Sequence, residues 1–229
     1  MNLKARSKQG RDSLQQGIYA VINPLVRLMI RCGITPNMVT TIGMLGQVLG
    51  AALLIRAGYV AGHTGTVPYS LVTFAGVVII LFSLFDMLDG QVARLGNMAS
   101  RFGAMYDSVL DRYCELISLG GVAYYFIQFG GLWEALITYM AIIGSVLVSY
   151  VRARAEGLGI ECKIGFMQRP ERVVVTCLGV ILTGVLGQCG IEWANWVLIV
   201  AMTVIAIFAN ITAAARIQHC RRAMERMNN

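Results

Sequence analysis

Six apolar runs, each long enough to cross a lipid bilayer as a helix, constrain this chain more than any other feature. A helix needs about 20 apolar residues to span the hydrocarbon core. Within lipid, only helices and closed barrels satisfy every backbone hydrogen bond. The runs cover residues 38–57, 69–88, 103–126, 133–151, 172–186 and 193–215. The sequence therefore predicts an all-α integral membrane protein with six transmembrane helices.

The composition agrees with a membrane protein. Hydrophobic residues make up 57% of the 229 residues and charged residues only 14%, whereas soluble domains carry about 25% charged residues. Residues 1–17 are basic and polar, without the apolar core or cleavage site of a signal peptide. We therefore expect the first span to direct membrane insertion.

The segment before the first span has the pattern of an amphipathic helix. In residues 14–32, apolar side chains recur at helical spacing, and we expect this helix to lie in the membrane interface. Packing of the same apolar face against the helix bundle is an alternative. The chain then divides into an N-terminal segment (1–33), a six-helix membrane domain (34–217) and a basic tail (218–229).

The distribution of basic residues predicts the orientation. All but two of the 19 Lys and Arg residues lie in the terminal segments and in alternate loops; the exceptions are Arg56, on the opposite side, and Arg112, inside a span. Because cytoplasmic loops collect Lys and Arg, both termini should face the cytoplasm of a bacterial-type inner membrane. The net charge of +7 suits anionic lipids and substrates, but the aromatic interleaving of a nucleic-acid site is missing.

Four aspartates interrupt this apolar sequence. Asp86 and Asp89 are three residues apart, and Asp107 and Asp111 are four apart, so each pair shares one helical face. Ionisable residues within a membrane are costly and usually functional. Carboxylates that converge require cations, and an oxygen-only ligand set suits Mg²⁺ or Mn²⁺. Two such ions would offset four carboxylates. A simpler alternative is helix-end ion pairing with Arg94, Arg101 and Arg112.

The same stretch carries a family resemblance. Residues 86–111 read D-x-x-D-G-x-x-A-R, then eight residues, then G-x-x-x-D-x-x-x-D, which resembles the signature of the CDP-alcohol phosphotransferases. The resemblance covers about residues 33–217 and implies that the first three aspartates hold two metal ions and the pyrophosphate of a CDP-linked lipid. It further implies that Asp111 is the general base and a fourth metal-site residue, and that the protein is a homodimer. The implied CDP-lipid contacts are Asn37, Thr40, Asp86, Gly90, Ala93, Arg94, Ser100 and Gly103.

The implied reaction is phosphatidyl transfer. An acceptor hydroxyl attacks the phosphorus that bears diacylglycerol, CMP leaves, and Asp111 takes the proton of the hydroxyl. Two other classes stay open: a prenyltransferase, which also uses D-x-x-D pairs on membrane helices, and a cation-coupled transporter, in which membrane carboxylates mark an ion path.

The acceptor is indicated by residues 149–174, a loop region rich in arginine. Clustered basic groups suit an acceptor that carries its own phosphate, although positive-inside bias alone would also place arginines here. The pattern S-Y-x-R-A-R-A-E, followed by E-R in the next helix, resembles the phosphatidylinositol-phosphate synthase branch. That resemblance implies CDP-diacylglycerol and inositol 1-phosphate as substrates, with acceptor contacts from Ser149, Arg152, Arg172 and Arg216. Glycerol 3-phosphate, serine and free inositol are the alternatives.

Overall fold

The computed structural model describes residues 22–128 and 131–227, and this part of the chain contains helices but no strands. Residues 14–21 of the predicted amphipathic helix lie outside the described residues. The helix over 22–31 is called α1. The others are α2 Pro36–Thr64, α3 Tyr69–Ser83, α4 Phe85–Leu95, α5 Arg101–Gln128, α6 Leu132–Glu156, α7 Arg169–Gln188 and α8 Ala194–Met227.

Within the described residues, five segments are long and apolar enough to cross a membrane: α2, α3 with α4 (Tyr69–Leu95), α6, α7 and α8. The predicted all-α membrane fold is therefore confirmed at this level. The 28 residues of α5 would extend about 42 Å at 1.5 Å per residue. Its five charged side chains, Arg101, Asp107, Asp111, Arg112 and Glu115, exclude it from the apolar spans, so a span at α5, which would bring the number to six, stays a prediction.

Local sequence signals set where the helices begin. At α2, the backbone N–H of Met38 donates to the Thr35 hydroxyl at 3.4 Å, and Pro36 occupies the first helical position, where no N–H is needed. At α5, the N–H of Gly103 donates to Ser100 Oγ at 2.9 Å. Both are side-chain caps of the kind that Ser and Thr favour.

The chain forms two compact units. The first consists, in its described part, of residues 22–43 and Leu84–Leu110. Its small core contains Val26, Val39, Leu88 and Val92. Because Val26 belongs to α1, part of the predicted apolar face of this helix is packed inside the unit. The interfacial position of α1 stays a prediction.

The second unit contains Met44–Ser83 and, in its described part, residues 111–128 and 131–227. In this unit α6 packs on α8, and α7 packs on both α3 and α8. The larger apolar core of this unit includes Leu54 of α2, Leu119 of α5, and Leu198 and Met202 of α8. Residues 218–227, which the sequence suggested as a separate basic tail, continue α8 without a break.

Glycines permit the close approach of these helices. A Cβ at Gly184 of α7 would overlap the backbone N and the hydroxyl of Thr73 on α3. A Cβ at Gly121 of α5 would lie 3.0 Å from the Cα of Ala51 on α2. Small residues at such positions let backbones pack directly, which is how helices associate in lipid.

The contact at Gly184 is testable. We expect Gly184→Ala to destabilise the protein, because overpacking costs about 1–3 kcal/mol; thermal unfolding in detergent should show a decrease in Tm of about 2–4 °C per kcal/mol. Gly120→Ala is the matched control, since nothing lies within 4 Å of a Cβ at that helical glycine. Equal Tm values for the two variants would contradict the close approach of α3 and α7.

Candidate functional site

Three of the four aspartates form a cluster within the first unit. Asp86 and Asp89 lie on α4 and Asp107 lies on α5, and one carboxylate oxygen from each lies within 4.8 Å of the other two. In the described part of the chain, no other set of three or more acidic, histidine or cysteine side chains comes together in this way. The structure thus brings together carboxylates from two helices, and three of the four aspartates singled out from the sequence take part.

The cluster is buried at one side and open at the other. Asp89 is only 5% exposed, Asp107 is half-buried and Asp86 is exposed. The Thr40 hydroxyl donates to Asp89 Oδ2 at 2.7 Å and is itself buried. Thr40 thus holds the deepest carboxylate in place, while Asp86 gives access from outside.

The residues of this cluster fit a hard divalent cation. All three donors are carboxylate oxygens, which Mg²⁺ and Mn²⁺ prefer to softer ligands. Like charges at this distance disfavour joint ionisation unless a cation compensates them. A bound divalent ion would remove that repulsion and would leave coordination positions for the oxygens of a phosphorylated substrate.

Several predicted CDP-lipid contacts lie near one another in the first unit. A Cβ at Gly103 would be 3.0 Å from Ser100 Oγ and 3.4 Å from Asn37 Oδ1, so these three residues are neighbours. Arg94 is exposed and donates through Nε to the carbonyl of Gly90 at 3.1 Å. Ala93, on the same turn as these last two residues, is half-buried. Ser100 also caps α5, because its hydroxyl accepts from the N–H of Gly103; the sequence interpretation missed this role.

The fourth aspartate belongs to the second unit, where it is ion-paired. Arg169 Nη2 of α7 lies 2.5 Å from Asp111 Oδ1 of α5. One turn further along α5, Glu115 accepts from Nε and Nη2 of Arg172 at 2.5 and 2.9 Å, and Arg172 Nη1 donates to the carbonyl of Met167 at 3.1 Å. From the sequence, Arg169 was only one of the basic residues of the 149–174 region, and neither it nor Glu115 was singled out as a site residue. The sequence did contain a signal for these pairs, because two acids lie four residues apart on α5 and two arginines lie three residues apart on α7.

Two of the predicted acceptor-binding arginines are completely buried, but they differ in charge compensation. Arg172 is 1% exposed and paired with Glu115, whereas Arg216 is 2% exposed and donates only to the carbonyls of Ile164 and Val148, at 2.8 and 2.6 Å. No carboxylate in the described part of the chain lies within ion-pair distance of Arg216. In this part of the chain, its charge is therefore met by backbone carbonyls and not by a carboxylate.

The remaining predicted acceptor residues lie at the end of α6. Arg152 is partly exposed and pairs with Glu156 at 2.9 Å, four residues further along the same helix. Ser149 is half-buried and follows Val148, whose carbonyl accepts from Arg216. Residues 148–152 of α6 and Arg216 of α8 therefore lie in the same part of the second unit.

The chain resembles proteins of a known family. Residues 33–208 match the model of the family described as CDP-alcohol phosphatidyltransferase. A phosphatidylinositol phosphate synthase of Mycobacteroides abscessus is 32% identical over 203 residues, covering 88% of this chain and 84% of that protein. The protein of the same name from Mycobacterium tuberculosis is 34% identical over 211 residues, covering 86% and 84%.

Solved structures show the same likeness. The crystal structure of the Mycobacterium tuberculosis phosphatidylinositol phosphate synthase with CDP-DAG bound has a TM-score of 0.73 and 29% identity, covering 88% of this chain and 94% of that one. The structure of that synthase in complex with manganese and citrate also has a TM-score of 0.73, with 28% identity and coverage of 86% and 87%.

The hydrogen bond from Thr40 to Asp89 predicts an effect on metal binding. We expect Thr40→Val to weaken Mn²⁺ binding about 10-fold, because residues that orient metal ligands typically contribute 10–100-fold to affinity. Mn²⁺ titration of the purified protein, followed by electron paramagnetic resonance, measures this. Thr40→Ser keeps the donor and should retain affinity. If valine and serine bind Mn²⁺ equally well, Thr40 does not orient the cluster.

Proposed function

We propose a donor and an acceptor for this chain, which belongs to the CDP-alcohol phosphatidyltransferase family and is a transferase of phospholipid synthesis. The donor is CDP-diacylglycerol, the acceptor is the hydroxyl of inositol 1-phosphate, and the products are phosphatidylinositol phosphate and CMP. The observation that carries this proposal is the convergence of Asp86, Asp89 and Asp107 within the family signature. The names of the relatives and the CDP-DAG complex support the substrates.

A divalent metal is part of this proposal. The acidic cluster and the manganese complex of the related synthase support metal dependence. We assign Mg²⁺ or Mn²⁺, two ions per site, to Asp86, Asp89, Asp107 and Asp111, following the family resemblance. When bound, such ions would neutralise the pyrophosphate and stabilise the attacking and leaving oxygens.

The side chains of this protein supply orientation and proton transfer. Thr40 holds Asp89. The proposed CDP-lipid contacts are Asn37, Thr40, Asp86, Gly90, Ala93, Arg94, Ser100 and Gly103. As the acceptor oxygen bonds to the phosphorus that carries diacylglycerol, the bond from that phosphorus to the bridging oxygen breaks and CMP leaves with the electron pair. The proton of the hydroxyl passes to Asp111, which lies four residues after Asp107 on α5.

The acceptor assignment is supported by the charge of Arg216. A buried guanidinium that meets only backbone carbonyls retains a net charge, and guanidinium groups bind phosphate strongly through paired hydrogen bonds. We therefore propose that Arg216, with Ser149, Arg152 and Arg172, binds the phosphate of the acceptor. Glycerol 3-phosphate carries the same group, serine offers only a carboxylate, and free inositol, which is neutral, would leave this charge uncompensated. The transferase family match favours this chemistry over prenyl transfer and cation transport.

The proposed arrangement in the membrane follows from the charge distribution. In this arrangement α5 also crosses the membrane, which brings the number of spans to six, and its charged N-terminal half lies toward the cytoplasm. Both termini are cytoplasmic. α1 lies in the interface, and the basic end of α8 contacts lipid headgroups. Residues 34–217 form the catalytic domain, and the family resemblance favours a homodimer.

The acceptor is tested by a parallel assay. Purified protein, CDP-diacylglycerol and Mg²⁺ are incubated with inositol 1-phosphate, inositol, glycerol 3-phosphate or serine, and CMP release is measured. We expect release only with inositol 1-phosphate. Release with a different acceptor would overturn the acceptor, and release with none would overturn the proposed reaction.

The role of Asp111 makes a separate prediction. We expect Asp111→Asn to lower turnover about 10²–10⁴-fold, the range typical for loss of a general base, because the amide cannot accept the proton. Binding of CDP-diacylglycerol, measured by equilibrium binding of labelled donor, should be retained. If donor binding is lost together with turnover, Asp111 is chiefly a metal ligand and is not the base.

A further inference from the structure

Two ion pairs lie one helical turn apart between α5 and α7. Asp111 pairs with Arg169, and Glu115 pairs with Arg172. The acids are four residues apart on α5, and the arginines are three apart at the start of α7. Both spacings place the two side chains on one face of their helix. Of these four residues, Glu115 and Arg169 have no role in the reaction described above.

The inner pair fixes the first turn of α7. The side chains of Arg172 and Glu115 are only 1% and 7% exposed, and two parallel hydrogen bonds join them. The Met167 carbonyl accepts a further hydrogen bond from Arg172. Breaking such a pair leaves an uncompensated buried charge, which is strongly disfavoured. The buried pair therefore fixes the first turn of α7 beside Glu115 of α5.

The outer pair is accessible where the inner pair is not. The side chains of Arg169 and Asp111 are 27% and 16% exposed, so solvent and ligands can reach this ion pair. Asp111 is the proposed base, and a base works only if its carboxylate is aimed at the proton that it takes. The guanidinium of Arg169 is planar and rigid, which suits it to fixing the orientation of a carboxylate.

We propose that Arg169 is a positioning residue for Asp111. It holds the carboxylate in the direction needed for proton transfer, and the buried Glu115–Arg172 pair fixes the helical turn from which Arg169 reaches it. Arg169 acts through Asp111 and does not touch the reacting atoms. This inference rests on the proposed function, in which Asp111 accepts the proton of the acceptor hydroxyl.

The test separates turnover from substrate binding. We expect Arg169→Gln to lower kcat about 10–100-fold, the usual effect of losing a residue that orients a functional group. The KM values for CDP-diacylglycerol and for the acceptor should stay unchanged. Arg169→Lys should recover part of kcat, because it keeps the charge but not the planar fork. Arg221→Gln is the matched control, since Arg221 forms an ion pair with Glu225 that is 79% and 56% exposed, and it should leave kcat unchanged.

Three outcomes would overturn the proposal. An unchanged kcat in Arg169→Gln would show that Asp111 does not need its partner. A rise in the acceptor KM with kcat retained would make Arg169 an acceptor ligand. A fall in kcat that lysine does not relieve, together with a Tm that falls to the same extent in both variants, would make the role structural.

A second measurement does not depend on turnover. Tm values of Arg169→Gln, Asp111→Asn and the double variant form a thermodynamic cycle, and we expect the double variant to lose less stability than the sum of the single variants. Additive losses would overturn the pairing itself.

If the unmodified protein releases CMP with a different acceptor, only the acceptor assignment fails, and the Arg169 variants are compared with that acceptor. If it releases none, the proposed function and the role of Arg169 fail together, even where the cycle shows coupling.

Discussion

Charge compensation at carboxylates in an otherwise apolar chain is the constraint on which this structure depends. A carboxylate removed from water is strongly disfavoured unless it is paired or hydrogen-bonded, and this chain has five on α4 and α5 within 30 residues: Asp86, Asp89, Asp107, Asp111 and Glu115. The two units compensate them differently. In the first, three carboxylates converge, with the Thr40 hydroxyl on the deepest one. In the second, Asp111 and Glu115 each meet an arginine of α7.

This division matches the two tasks of a phosphatidyl transfer. Carboxylates that repel one another make a site for divalent ions, which suits a pyrophosphate donor. Carboxylates that are paired with arginines keep a defined orientation, which suits the transfer of a proton. Arg216 adds a third element to the proposed function, because its buried guanidinium donates to backbone carbonyls and, in the described part of the chain, pairs with no carboxylate. Under that proposal, one physical cost, charge in a medium of low dielectric, accounts for the sites of a cation, a proton and an anion.

The sequence could predict much of the site because helical periodicity is a local property. The intervals between Asp86 and Asp89 and between Asp107 and Asp111 were enough to place each pair on one face, and the glycine and alanine positions between them identified the family. The acceptor residues were harder. Arg152, Arg172 and Arg216 could be selected by charge and position. However, positive-inside bias places arginines in the same loops. The residue type alone therefore did not show whether an arginine binds a ligand, pairs with a carboxylate or only sets the membrane orientation.

By itself, the sequence determined the helical class, the position of the apolar segments and the identity of the signature aspartates, because these depend on run length and on spacings within one helix. Only the tertiary structure decided which charges meet. Glu115 and Arg172 are 57 residues apart in the chain, yet they form a buried bidentate pair. Arg216, by contrast, donates to the carbonyls of Ile164 and Val148 and pairs with no carboxylate among the described residues. Such pairings depend on which helices pack and at what height, and no local pattern encodes that.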